Sequence, residues 1–430
     1  MDRTMRAGAG KEEIMLMEAY LAIEDFSIVH RALDVRAVII ENGTKMAFVS
    51  VEMTSLPAEE IEAVKDRIVM EAEIERENIW VCCTHTFSAP HLLPDFMLAE
   101  NDGIAKKEEF RKALQNAAAA AVIKAQSRME AVTPRFGSSF CDINIGRDVE
   151  LEDGWWIGEH GMGLVDHEIQ ALRLDNREGK PVAVIFNYAI QSSVLDGSVL
   201  STGGKGVSPD VAGTACDYIE RCYRKPHPVV LFLMGAAGDQ VPVKRTVSET
   251  FVKGERVRKD RHEEGFKICE ELGRTLGDAV IRAMDSSRQI SVEDEVRMER
   301  KKITVPGKTM DRNLHNLKPV KEFKYTENGD VETEIEIAAI GEIAFLGVKP
   351  ELNCITAAAV KAFSPYEHTI ITTMVNGASK YMADKRSYDR FTYEAQNSPF
   401  AKGAAEILMK ESISLLNDCL LYTSDAADEL

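Results

Sequence analysis

Apolar residues along this chain alternate between two patterns. Short runs rich in β-branched and aromatic residues, at 46–51, 79–83, 182–188, 229–234, 343–346 and 369–375, are bounded by turn residues and read as buried strands. Between them, segments 59–72, 107–127, 212–223, 267–284, 357–363 and 401–416 carry apolar residues at helical spacing with charges between. Strand and helix alternate, which predicts an α/β protein with a mixed, largely parallel sheet core flanked by helices.

Two stretches depart from this rhythm. Residues 244–264 are dense in charge and predict a solvated excursion. Residues 301–334 are polar, with Pro306, Gly307, Asn328 and Gly329 as turn signals, and predict a β-hairpin insertion. No Pro/Ser-rich linker or internal repeat divides the chain, so residues 1–418 are expected to form one domain. The closing run CLLYTSDAADE looks like the translation of a transposon-derived sequencing adapter on a bacterial metagenomic fragment, which sets residues 419–430 outside that domain.

Composition narrows the partners. With 430 residues and 45% hydrophobic content the chain can bury a large core. Lys plus Arg total 52 against 70 Asp plus Glu, a formal charge of -18, the wrong sign for nucleic acid or an anionic membrane. Small molecules or proteins are the expected partners, and the oligomeric state is not readable. The longest apolar run, 117–123, is far short of the roughly 20 residues that span a bilayer. The opening MDRTMRAGAGKEEI has no apolar core behind its basic residues, which predicts no secretory leader and a cytoplasmic protein. Eight cysteines without CxxC spacing read as reduced structural thiols.

In open α/β sheets, ligand sites gather at the carboxyl ends of strands. The strand ends here run into Thr84-His85-Thr86-Phe87-Ser88-Ala89-Pro90-His91, into Asn187 through Ser193, into Gly235-Ala236-Ala237-Gly238-Asp239, into Lys349-Pro350-Glu351, and into Asn376-Gly377-Ala378-Ser379-Lys380-Tyr381. A neutral imidazole at a strand end suits zinc, so His85 is the sharpest metal-ligand candidate, with Glu351 a carboxylate from another strand. Spacing alone favours the plainer readings, a hydrogen-bonded histidine and a solvated loop acid, since no HxH or HExxH pair accompanies them. The glycines of GAAGD allow either a close ligand approach or a tight strand-to-helix turn, and without a P-loop lysine or GxGxxG they lend little to nucleotide binding.

Taken in order, these segments resemble the neutral/alkaline ceramidase family over nearly the whole chain, from Arg6-Ala7-Gly8 to about Leu416. The likeness is carried by Thr84-His85-Thr86 with Ser88 and Pro90, Val165-Asp166-His167-Glu168, the FNYA strand, Ser208-Pro209-Asp210 with Gly213, GAAGD, and the Asn376 to Tyr381 segment with Arg386 and Tyr388. The resemblance implies an α/β domain holding one zinc ion and hydrolysis of the amide bond of an N-acyl sphingoid base. It assigns His85, Glu351 and Tyr381 as metal ligands. It also places Gln191 where the family has a second histidine, Phe87 where the THTH motif has its second, and Val241 where the family has a serine.

A carboxamide is a weaker zinc donor than imidazole, so the resemblance implies a divergent metal site of His85, Gln191, Glu351 and Tyr381. Without the serine, attack by activated water with Asp239 or Glu351 as base remains available. Gly235, Gly238 and Asn376 are expected to shape the substrate pocket. Two function classes follow: a zinc-dependent hydrolase of an amide or ester bond in a small or lipid-like substrate, and an inactive member that keeps the fold for binding or assembly.

Overall fold

The computed structural model describes residues 4–428 apart from 17–23, 94, 96–97, 99, 224, 226, 292–294, 311–315 and 323. The strand Leu33–Asn42 shows how its layers arise, because successive side chains leave a strand on opposite faces. Val35, Ala37 and Ile39 pack with Ile61, Val64, Phe110 and Leu114 of the helices Ala58–Ala72 and Glu100–Ser127. Val38 and Ile40 pack instead with Ile343, Phe345 and Ile370 of a second sheet. The far face of that second sheet, through Ile335, Ile337 and Leu346, is covered by Val360 and Leu408 of the helices Cys354–Phe363 and Ala404–Asp428. Helix, sheet, sheet and helix therefore stack in four layers, with three apolar seams.

The larger sheet has nine strands, in the order Val229–Met234, Pro181–Tyr188, Glu168–Asn176, Glu130–Phe140, Arg6–Ile14, Leu33–Asn42, Thr44–Val51, Ile79–Cys83, with Arg288–Gln289 pairing Glu130–Phe140. The α/β class and the mixed sheet hold, but the sheet is not largely parallel. Only its two flanking pairs are parallel, and the five pairs between them are antiparallel. These interior strands carry charges and glycines that break up apolar runs. In Arg6–Ile14, Gly8 and Gly10 lie under the helix Glu100–Ser127, where an added Cβ would stand 2.1 Å from Ala125 O and 2.0 Å from Ala121 O. A side chain there would push helix and sheet apart.

The segment expected as a β-hairpin forms one, and it is built into the four-stranded sheet. Arg297–Lys308 pairs along its length with Glu327–Ile340, which continues to Ile343–Val348 and, in parallel, to His368–Thr373. Residues 311–315 and 323 of that segment lie outside the described residues. The charged excursion forms a hairpin, Val247–Val252 with Glu255–Asp260, and Phe251 meets Trp156 at 5.4 Å. Trp80 is fully buried between the sheets, edge-on to Phe48 at 5.5 Å.

The last helix does not stop before residue 419. Cys419 is 2% exposed, and its Sγ accepts a hydrogen bond from Tyr366 at 3.2 Å, so the folded unit includes it. Among the described residues no helix is long and apolar enough to cross a membrane. All eight cysteines are free, with Cys222 exposed and the others buried.

Candidate functional site

Where the two sheets present their strand ends, four distant segments converge. The strand Ile79–Cys83 is held parallel to Thr44–Val51, and Thr84 N extends the ladder by one bond to Val51 O at 2.9 Å. His85 then turns sharply, at φ 60°, a left-handed conformation that a non-glycine residue adopts only when its surroundings hold it. Its ring provides part of the hold: Nδ1 lies 2.6 Å from Thr54 O. A carbonyl only accepts, so Nδ1 carries the proton and Nε2 of the neutral ring carries the lone pair.

Gln191 follows the strand Pro181–Tyr188, on a turn closed by Ile190 N to Tyr188 O at 3.0 Å and Ser193 N to Gln191 O at 2.9 Å. Behind that turn, the buried Asp210 carboxylate accepts from Val194 N at 3.2 Å and Leu195 N at 2.9 Å. Glu351 and Tyr381 are direct partners in the two-residue parallel ladder Glu351–Leu352 with Tyr381–Met382.

The four side chains meet almost out of solvent, with His85, Glu351 and Tyr381 each 5% exposed and Gln191 2%. His85 Nε2 has no hydrogen-bond partner and faces Glu351 Oε1 at 3.5 Å. Gln191 Nε2 donates to Glu351 Oε2 at 2.6 Å and lies 3.4 Å from Tyr381 OH. Arg147 completes the group, donating from Nη1 to Gln191 Oε1 at 3.0 Å. Its Nε and Nη2 reach Glu394 Oε1 at 2.6 and 2.5 Å, and it stacks 5.0 and 5.4 Å from the Tyr381 and Tyr393 ring centres. Burial pushes the Tyr381 phenol above its ordinary pKa, so it remains an O–H donor.

The group lies at the inner end of a cavity of about 540 Å³ whose walls include Leu56, Pro57, Leu92, Leu93, Ile157 and Met374. That volume is in the range of small-molecule sites, and its walls suit an apolar chain. Phe87 lines the cavity and packs edge-on against His85 at 4.6 Å. His91 lines it too, but its Nδ1 is engaged by the Glu24 carboxylate at 3.1 Å.

The donor set can be tested against zinc. The 3.5 Å between His85 Nε2 and Glu351 Oε1 is that of neighbouring ligands around one tetrahedral ion with bonds of about 2.0–2.3 Å, and Tyr381 stands beside Glu351 in the two-residue ladder. An unpartnered Nε2 on a ring anchored through Nδ1 to a carbonyl is the usual posture of a metal-binding histidine. His85, Glu351 and Tyr381 therefore fit zinc, while Gln191 turns an N–H face toward the centre.

Another acid and histidine trio, Glu342, Glu367 and His368, brings its ligand atoms within 4.8 Å of one another. Arg288 already supplies the cation there, at 2.8 Å from Glu342 and 2.6 Å from Glu367.

Four expected site residues do other work. Gly238 brings the backbone against Leu352, donating to its carbonyl at 2.9 Å, and an added Cβ would lie 2.8 Å from that oxygen. Gly235 similarly donates to Tyr188 O at 2.9 Å. Asn376 joins the sheets, accepting from Val81 N at 3.0 Å and donating to Glu336 at 2.9 Å. Asp239 lies behind Arg147, away from the cavity wall, where it accepts from Cys354 N at 2.9 Å and burial raises its pKa to about 6. None of the four lines the cavity, so neither the pocket-shaping role nor the base role of Asp239 fits its place. Arg147, Tyr393 and Glu394 are the additions; the last two sit in a polar stretch that no spacing marks.

No protein-family model matches the chain, and no curated protein matches it in sequence. Among solved structures, neutral ceramidase from Pseudomonas aeruginosa superposes with a TM-score of 0.71 at 17% identity, over 97% of this chain and 75% of that one. A ceramidase complexed with C2 superposes with a TM-score of 0.72 at 16% identity, over 97% and 76%. The chain has the fold of neutral ceramidase.

Proposed function

We propose that this protein hydrolyses an amide or ester bond in a small or lipid-like substrate at the His85–Glu351 centre. The observation that carries the reading is the convergence of His85, Gln191, Glu351 and Tyr381, from four separate strand ends, on one apolar-walled cavity in a fold shared with neutral ceramidase.

In this reading His85, Glu351 and Tyr381 hold zinc, with Gln191 as a weak fourth neighbour. Zinc supplies Lewis acidity, polarising a carbonyl and acidifying water. The apolar walls bind the chain of the substrate and exclude bulk water from its polar end. Glu351, whose Oε2 is held by Gln191, accepts the proton of the attacking water and returns it to the leaving nitrogen or oxygen as the acyl bond breaks. The Tyr381 hydroxyl, beside Glu351 in the ladder and under the Arg147 guanidinium, is placed to steady the oxygen on which negative charge develops. Arg147 braces Tyr381 from one side and Gln191 from the other. Free thiols at all eight cysteines suit a reducing compartment such as the cytoplasm.

A second reading, a non-catalytic binding protein, has one observation in its favour: Val241, buried in the strand Gln240–Pro242, offers no nucleophile. The test is bound zinc by elemental mass spectrometry together with release of fatty acid from acyl amides, for the unaltered protein and His85→Ala. Zinc and acid release that both vanish in the variant support the hydrolase; zinc-supplied protein that releases no acid from any amide or ester leaves the binding role.

A further inference from the structure

Arg147 is a guanidinium and carries only donors, so the Gln191 atom 3.0 Å from its Nη1 has to be the carboxamide oxygen. The amide nitrogen is thereby turned inward, 2.6 Å from Glu351 Oε2. An amide N–H₂ has no lone pair to offer a metal. Bringing the oxygen inward requires a half-turn of the amide, which sets N–H against the Arg147 donor and oxygen against the Glu351 carboxylate. Both hydrogen bonds are lost together and both are replaced by repulsions.

Arg147 cannot easily yield. Its side chain is 4% exposed, paired with a fully buried Glu394, and lies between the Tyr381 and Tyr393 rings. The orientation of Gln191 is therefore imposed by the Arg147–Glu394 pair through the amide oxygen, on the side away from Glu351.

We infer that Gln191 is an amide latch on the metal centre, held in its metal-refusing orientation by the Arg147–Glu394 pair. The inference rests on the zinc reading above and adds to it a control: uptake of zinc competes with the latch, so occupancy is graded by free zinc instead of permanent. Arg147 and Glu394 are positioning residues in this scheme, acting through Gln191.

The test uses zinc alone as the probe, with the full chain, in competition with a chromophoric chelator. Gln191→Glu keeps an oxygen for Arg147 and presents another to the centre. The double variant Arg147→Met/Glu394→Gln removes the buried charge with its partner and frees the amide to turn. Both are expected to bind zinc about 10- to 100-fold more tightly than the unaltered chain, the range over which outer partners tune a ligand. Arg147→Lys keeps a donor behind Gln191 and is expected to bind as the unaltered chain does.

A merely structural Arg147 would give the opposite sign, weaker zinc in the double variant, and that result overturns the latch. Unaltered protein that already binds zinc as tightly as Gln191→Glu overturns it while leaving the zinc reading standing. No zinc in any variant overturns both. Tight zinc in the variants without hydrolysis of any amide keeps the latch and removes only the hydrolase.

Discussion

Two buried arginines organise two polar networks, and they close differently. Arg36, with its side chain 2% exposed, meets Asp34 at 3.2 Å, Asp217 at 2.6 Å, Glu220 at 3.4 Å and, more tightly, Glu52. Lys11 shares three of the same acids at 2.6–3.0 Å. Every charge there has a partner, and none of these residues lines the cavity at His85. Around Arg147, by contrast, two buried acids, Asp148 and Glu394, crowd one arginine, and His85 Nε2 is buried with no hydrogen-bond partner among the described residues. A satisfied network fixes structure, whereas an unsatisfied one costs free energy that only an occupant or a reaction returns. The contrast separates a brace from a site without appeal to any relative.

The comparison predicts an order of stability effects. Arg36→Met leaves the buried Glu52 without a cation, while Lys11 keeps the other three acids, and is expected to cost about 3–5 kcal/mol in urea unfolding; a loss under about 1 kcal/mol would show that the network is not a brace. Next comes Asp210, which clamps the turn after Gln191. Burial raises its folded pKa from 3.8 to about 6, so its contribution is full below about pH 4 and is lost as pH rises through about 6. Unfolding free energy should fall by up to about 3 kcal/mol across that window, and Asp210→Asn should flatten the slope; an unchanged slope would place the titration elsewhere.

Smaller still are the effects at the centre itself. His85→Ala removes an unpartnered nitrogen together with the bond to Thr54 O, and is expected to cost about 1 kcal/mol of stability while acyl-amide hydrolysis falls to background. Tyr381→Phe is expected to cost about 0.5 kcal/mol and about a hundredfold in turnover. If either destabilises as much as Arg36→Met, the centre is a brace as well.

Much of this was legible in the sequence, and the failures are instructive. Ile79–Cys83 and Val229–Met234 stood out because they are buried on both faces. Arg6–Ile14 did not, because Gly8 and Gly10 serve helix contact and not strand propensity. Reading the strand ends singled out His85 and Glu351, and the family resemblance added Gln191 and Tyr381; the fold brings the four side chains together. Nothing local marked Tyr393 and Glu394, whose role exists only through Arg147, or showed that Gly235 and Gly238 serve backbone contact.

The spread of the centre along the chain also sets when it can exist during synthesis. The Arg36 brace needs nothing beyond Glu220, so it can assemble while the second half of the chain is still being translated. The cleft draws on His85 near one end and Glu394 near the other. The cleft therefore cannot be complete until synthesis is nearly finished, whereas every residue of the Arg36 network is present by Glu220.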